Sequence, residues 1–91
     1  MGRVVVNLRI LPEDVETPLD ELAEEIEKSL PSEIYKVLKV EREPIAFGLE
    51  ALRMYVSMPE DYEGGTSELE DLISGVGGVS RVEVLTVGRL L

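Results

Sequence analysis

Hydrophobic and polar positions alternate along residues 3–11, RVVVNLRIL, with the period of two that marks a strand. Val4, Val6, Leu8 and Ile10 fall on one face, and Arg3, Val5, Asn7 and Arg9 on the other. The first face is wholly apolar and is predicted to meet helices. The second is mixed, as expected where a sheet face meets water or a partner. Pro12 ends the strand and residues 12–17 read as a loop. The period then changes. Leu19, Leu22, Ala23, Ile26 and Leu30 recur at helical spacing, while Asp20, Glu21, Glu24, Glu25 and Glu27 cover the remaining surface as a solvated acidic face. Thr17 reads as the N-cap with Pro18 at the first helical position, and Pro31 stops the helix.

Residues 34–42, IYKVLKVER, read as a second strand. Val37 and Val40 stand three apart, so either a bulge intervenes or both faces are partly apolar. Lys36, Lys39 and Arg42 are the charges expected of a guarded edge strand. In residues 49–58, Leu52, Met54, Val56 and Met58 make one face of a third strand that ends at Pro59. Residues 59–65 are turn-rich. Asp61-x-Glu63-Gly64 resembles a calcium loop only faintly and lacks the remaining spaced ligands. Ser67 with Glu70 forms a capping box, with Thr66 as an alternative cap, ahead of a short helix whose stripe is Leu69, Leu72, Ile73 and Val76. Gly75, Gly77 and Gly78 end that helix. They follow a helix and precede a strand, the reverse of a dinucleotide fingerprint. Residues 79–87 read as the last strand, with Val82 and Val84 inward, and Gly88-Arg89-Leu90-Leu91 as a tail.

The order β-α-β-β-α-β predicts an α+β, ferredoxin-like two-layer sandwich, with a four-stranded antiparallel sheet in order 4-1-3-2 and both helices on one face. The 91 residues are expected to form one domain, residues 1–91.

The stretch between the second and third strands, Glu43-Pro44-Ile45-Ala46-Phe47-Gly48-Leu49, breaks the pattern. A hairpin turn normally carries Asn, Asp and Gly. Here an apolar triad lies between Pro44 and Gly48, and it includes the only Phe of the sequence. Two readings are open: Phe47 tucks beneath the sheet as core, or it stands out as a rigid aromatic anchor for a partner.

Composition narrows the chemistry. Cys and His are both absent, which removes thiolate nucleophiles, Cys-based metal sites, disulfides and the commonest general base. Neither a nucleophile–base pair nor a metal cluster is visible, and an enzyme is not expected. The formal net charge of −10 repels phosphate backbones. Together with the scarcity of aromatics, it argues against an RNA-recognition module. No apolar run approaches membrane-spanning length, and Gly2 lacks the following Ser or Thr of a myristoylation signal. A soluble cytoplasmic protein, monomeric when free, is the expectation. Two function classes remain: a protein-interaction module, and a small-ligand-binding regulatory domain of ferredoxin-like fold.

Pro44-Ile45-Ala46-Phe47-Gly48-Leu49, followed by Leu52, resembles the Pro-Ile-x-Phe-Gly-(Ile/Leu) segment of the translation elongation factor 1-beta family. The likeness covers nearly the whole chain: Gly64-Gly65-Thr66 leads into the second helix, and a basic residue followed by Leu stands near the end. The length resembles the stand-alone archaeal form, without the N-terminal extensions of the eukaryotic one. The resemblance implies nucleotide exchange on the GTPase elongation factor 1-alpha, with no cofactor or metal of the factor's own. It implies that Phe47 fills an apolar pocket of the GTPase, supported by Pro44, Ile45 and Gly48. It implies that Arg89, followed by Leu90, approaches the magnesium site and weakens its hold on the phosphates. This chain has Arg where the eukaryotic pattern has Lys, and one further Leu after Leu90. In the predicted topology the connection between strands two and three lies at the opposite end of the sheet from the end of strand four. Phe47 and Arg89 are therefore expected to be far apart, with the partner along an extended surface.

Overall fold

A computed structural model describes residues 2–90, with the side chain of Leu90 outside the described set. Its elements are β1 (Arg3–Pro12), α1 (Leu19–Ser29), β2 (Lys36–Ala46), β3 (Leu49–Pro59), α2 (Gly65–Ser74) and β4 (Val79–Leu90). The four strands form one antiparallel sheet in the order β2-β3-β1-β4. This is the predicted ferredoxin-like arrangement. Each helical crossover joins two strands with a third lying between them.

Period-two patterning determines which residues become core. On β1, Val6, Leu8 and Ile10 are buried and alternate with half-buried Val5, Asn7 and Arg9. Leu52, Met54, Val56 and Met58 of β3 face the same layer, and Leu22, Ile26, Leu69 and Ile73 close it from the helices. Each such aliphatic side chain contributes about 1.5–3 kcal/mol when withdrawn from water. Val82 and Val84 pack on the rim of this core from β4.

Several boundaries differ from the sequence expectation. The N-cap of α1 is Pro18, in an extended conformation, and not Thr17. The Thr17 hydroxyl is drawn back into the loop, where it accepts a hydrogen bond from the Asp14 backbone N–H and donates to Asp14 Oδ1, each at 3.4 Å. The second helix starts at Gly65, ahead of the predicted Ser67–Glu70 capping box, and no side chain caps it. The Gly64 carbonyl accepts from the Glu68 N–H, so the Gly64-Gly65 backbone makes the first turn that a side chain was expected to start. The uncertain register of β2 resolves as a bulge between Val37 and Lys39. Gly88-Arg89-Leu90 is not a loose tail: Gly88 pairs with Val5, Arg89 with Val4 and Leu90 with Arg3. Because β1 begins at Arg3, its ladder groups remain available to a partner strand out to that residue.

Candidate functional site

β2 and β3 run further than their hydrophobic patterns indicate. Pro44, Ile45 and Ala46 belong to β2, and the connection to β3 is only Phe47-Gly48. Proline is tolerated because β2 is an edge strand and need not donate outward. An irregularity between Pro44 and Ala46 leaves Ile45 without a ladder partner and 45% exposed. Phe47 and Gly48 have φ of 53° and 78°, the two positive values of a type I′ hairpin turn. No heavy atom lies within 4 Å of where a Cβ on Gly48 would sit, so glycine is required there by conformation and not by space. Phe47 is the only described non-glycine residue with positive φ. For a bulky side chain that is an outlier, and such conformations cost about 1–3 kcal/mol.

Phe47 is fully exposed, which excludes the core reading of this residue. Its ring cannot offset the backbone strain through packing in the free protein.

The hairpin beneath it is braced on both faces. On the helical side, Arg42 donates to Asp20 at 2.8 Å and lies 3.7 Å from Glu50. On the open side, Glu43 accepts a paired hydrogen bond from Arg9 at 3.0 and 3.2 Å, and a third from Arg53 at 3.4 Å. The Arg9 hydrogen bonds, followed by the charges of Arg9 and Arg53, hold the Glu43 carboxyl below the usual carboxylate range. A cleft of about 330 Å³ opens beside the turn, with Pro12, Val15, Leu19, Gly48 and Leu49 among its walls.

Arg89 is elsewhere. From Leu49 to Pro59, β3 spans 11 residues, or roughly 33 Å at about 3.3 Å per residue. Arg89 lies at the far end of that span, within a molecule 42 Å long. It is 79% exposed, and its guanidinium stands 3.5 Å from Glu60 Oε2. Glu60 is positioned by its own backbone N–H, which donates to the Gly2 carbonyl at 3.1 Å. The side chain of Leu90, predicted to accompany Arg89, lies outside the described residues, as does Leu91. The structure thus groups Pro44, Ile45, Phe47 and Gly48 at one end and places Arg89 at the other.

Sequence reasoning missed Arg42, Glu43 and Glu60 as supports. The alternating charges of Glu41-Arg42-Glu43 assign neighbours to opposite sheet faces, but nothing in the sequence names Arg9, Asp20 or Gly2 as their partners.

Comparison with known proteins adds a family. Residues 5–90 match the model described as the EF-1 guanine nucleotide exchange domain. The chain is 59% identical over 90 residues to elongation factor 1-beta of Desulfurococcus amylolyticus, covering 99% of each chain. It is 56% identical over 89 residues to elongation factor 1-beta of Thermofilum pendens, covering 98% of this chain and 97% of the relative. For elongation factor 1-beta of Staphylothermus marinus the identity is 52% over 90 residues, covering 99% of each. Among solved structures, the C-terminal domain of the MgtC protein from Mycobacterium tuberculosis superposes with a TM-score of 0.62 at 14% identity, covering 97% of this chain and 87% of that one. That likeness is one of fold alone.

Proposed function

This chain belongs to the EF-1 guanine nucleotide exchange domain family, and we propose that it promotes exchange of GDP for GTP on elongation factor 1-alpha by binding the nucleotide-free form of that GTPase. The whole chain, residues 1–91, acts as one exchange domain, in the cytoplasm. Exchange of this kind forms and breaks no covalent bond. A factor that binds the empty GTPase more tightly than the loaded one lowers nucleotide affinity by the same ratio. The required equipment is a surface that discriminates between two states of a partner, not a nucleophile or base.

The observation that carries this reading is Phe47. A fully exposed aromatic stands on a turn where Asn or Gly would be less strained, held by a hairpin braced on both faces. Strain kept at an exposed position points to a role outside the fold's own stability. Phe47 fills an apolar pocket of the partner, with Pro44, Ile45 and Gly48 fixing its position. Arg89, with Leu90, approaches the partner from the other end and disturbs the metal–phosphate contacts there. A partner that meets both ends lies along the 42 Å length of the molecule.

The test is release of labelled GDP from loaded elongation factor 1-alpha. Addition of the protein should speed release in proportion to its concentration until saturation, while the protein alone turns over no GTP. Unchanged release across a wide concentration range would overturn the reading and favour the small-ligand regulatory domain.

A further inference from the structure

Charge is divided unevenly between the two faces of the sheet. Register places six basic residues on the face away from the helices: Arg3, Arg9, Lys36, Lys39, Arg53 and Arg81. Only three acidic residues share it, Glu41, Glu43 and Glu83, a balance of +3. The rest of the molecule keeps three basic and sixteen acidic residues, a balance of −13. The helices and the loops are therefore strongly acidic, and one broad face of the sheet is not.

That face is also ordered before anything binds it. Arg3 donates to the Ser57 hydroxyl at 2.7 Å and to the Ile34 carbonyl at 3.1 Å. Arg9 bridges Glu43 and Glu83, and Arg53 donates to Asn7 at 2.9 Å. Tyr55, on a central strand, has Lys39 and Arg53 each 5.9 Å from its ring centroid. On the outer strands, Lys39 and Arg81 are more than half exposed, and their ion-pair partners among the described residues are Glu41 at 3.3 Å and Glu83 at 3.6 Å. Such surface pairs contribute about 0–1 kcal/mol and exchange readily for a better partner. The face thus has a fixed centre, which loses little side-chain freedom on docking, and an available cation at each margin.

We propose that this open sheet face, and not the helical layer, is laid against the nucleotide-free GTPase, and that it receives an acidic surface of that partner. The proposal rests on the exchange reading above. A partner that touches both Phe47 and Arg89 has to cross one of the two long faces. Arg89 shares the side of Val4, but it stands at the end of an edge strand and is exposed enough to be met from either face. An acidic partner surface is repelled by the −13 side and admitted by the +3 side, so the whole-molecule field orients the encounter. The single ring on this face, between two cations, is too little for the stacked bases of an RNA-binding sheet.

The test is the Kd of the full chain for nucleotide-free elongation factor 1-alpha at two salt concentrations. K39E combined with R81E should weaken binding roughly thirtyfold at low salt, with a smaller loss at high salt. K28E, on α1, should stay within about twofold of the unsubstituted protein, and K39R combined with R81K should bind normally. Unfolding curves confirm that each variant is folded. Should the double reversal fail to fold, K39Q with R81Q takes its place, with an expected loss of about tenfold. Unchanged binding by the reversed face overturns the proposal, as does an equal loss in K28E. It is overturned as well if a mixed-sequence single-stranded RNA binds the unsubstituted protein and loses affinity in K39E/R81E while GTPase binding does not change. Failure of the unsubstituted protein to bind or to release GDP overturns the exchange reading itself, and the face proposal with it.

Discussion

The two ends of the sheet solve different problems. At the hairpin end an apolar ring stands free in solvent on a two-residue turn, and the strands beneath it are tied to α1 by Arg42 and to the open face by Glu43. At the other end the exposed group is a cation, and Glu60 already holds it. Toward that end, buried Tyr35 meets half-buried Tyr62 edge to face at 6.1 Å, and the Tyr35 hydroxyl donates to Glu68 at 3.4 Å. One end presents a shape that is complete before a partner arrives. The other presents a charge that has to leave one carboxylate to meet something else. On the proposed exchange reading, rigidity favours affinity at the first end, whereas exchangeability suits a contact with the partner's metal–phosphate site at the second.

The largest expected effect is at Phe47. Phe47→Ala should cost about 2 kcal/mol or more of binding to nucleotide-free elongation factor 1-alpha, close to a thirtyfold rise in Kd. Because the ring packs on nothing in the free protein, stability should change by less than about 0.5 kcal/mol. Ile26→Ala, within the core, should instead cost about 2–5 kcal/mol of stability. A stability loss of core size in Phe47→Ala, with normal exchange by the folded fraction, would break the contrast between the ends.

At the opposite end, burial, then the nearby Glu68 carboxylate, pushes the Tyr35 hydroxyl up to about 12. The folded protein therefore favours the neutral phenol. The unfolded chain ionises near its ordinary value of about 10. Stability from this group is fully present below pH 10 and is lost as pH rises through about 12. The unsubstituted protein should lose on the order of 1–2 kcal/mol over that window from this residue. Tyr35→Phe should show a shallower alkaline decline in a denaturant series, at the cost of about 1 kcal/mol at neutral pH for the lost hydrogen bond. Equal alkaline slopes would mean that the cluster does not anchor this end.

How much of this was legible in the sequence depended on which force decided each element. The sheet order and the core could be read because period-two and period-3.6 burial fix them: Val6, Leu8 and Ile10, or Leu22 and Ile26, have one apolar direction to face. The strand ends could not, because ladder hydrogen bonds continue past the apolar pattern wherever a neighbouring strand offers them. Hence β2 runs through Pro44 to Ala46, and β4 takes in Gly88 and Arg89. The caps at Thr17 and Ser67 were misplaced because loop and glycine backbone groups outcompeted the side chains. At the candidate site, Phe47 stood out by residue type, but residue type alone favoured burial; a positive φ at a two-residue turn is a property of strand pairing and has no local signature. Glu60 was invisible as a partner of Arg89, since 29 positions of chain separate them and it takes both the β1–β3 and the β1–β4 ladders to bring them together.

A smaller effect separates the turn from the ring that it carries. Phe47→Asn places in the positive-φ position a residue that tolerates it. Relief of strain should raise stability by about 1 kcal/mol, read as a higher unfolding midpoint with an unchanged denaturant slope. The same variant should bind elongation factor 1-alpha as poorly as Phe47→Ala. Gain of stability with loss of binding would show that the strain serves recognition. A stability loss would mean that the exposed ring supports the fold after all.

The smallest expected effect concerns the tether at the far end. The Glu60–Arg89 pair is partly exposed, and its 3.5 Å separation is that of a surface ion pair, worth about 0–1 kcal/mol. If Arg89 has to leave Glu60 to reach the partner's metal–phosphate site, then Glu60→Gln removes a competitor and should speed GDP release, by no more than about fivefold. Affinity for nucleotide-free partner should move in the same direction and by a similar factor. Arg89→Ala should do the opposite to the rate, lowering it while leaving the nucleotide-free complex largely intact, and excess magnesium should then depress exchange less than in the unsubstituted protein. The double variant should match Arg89→Ala, because without the guanidinium there is nothing for Glu60 to hold back. Slower exchange in Glu60→Gln would give the carboxylate another role, that of aiming Arg89 and not restraining it. The two ends would then be alike, each delivering a group fixed in place before the partner arrives.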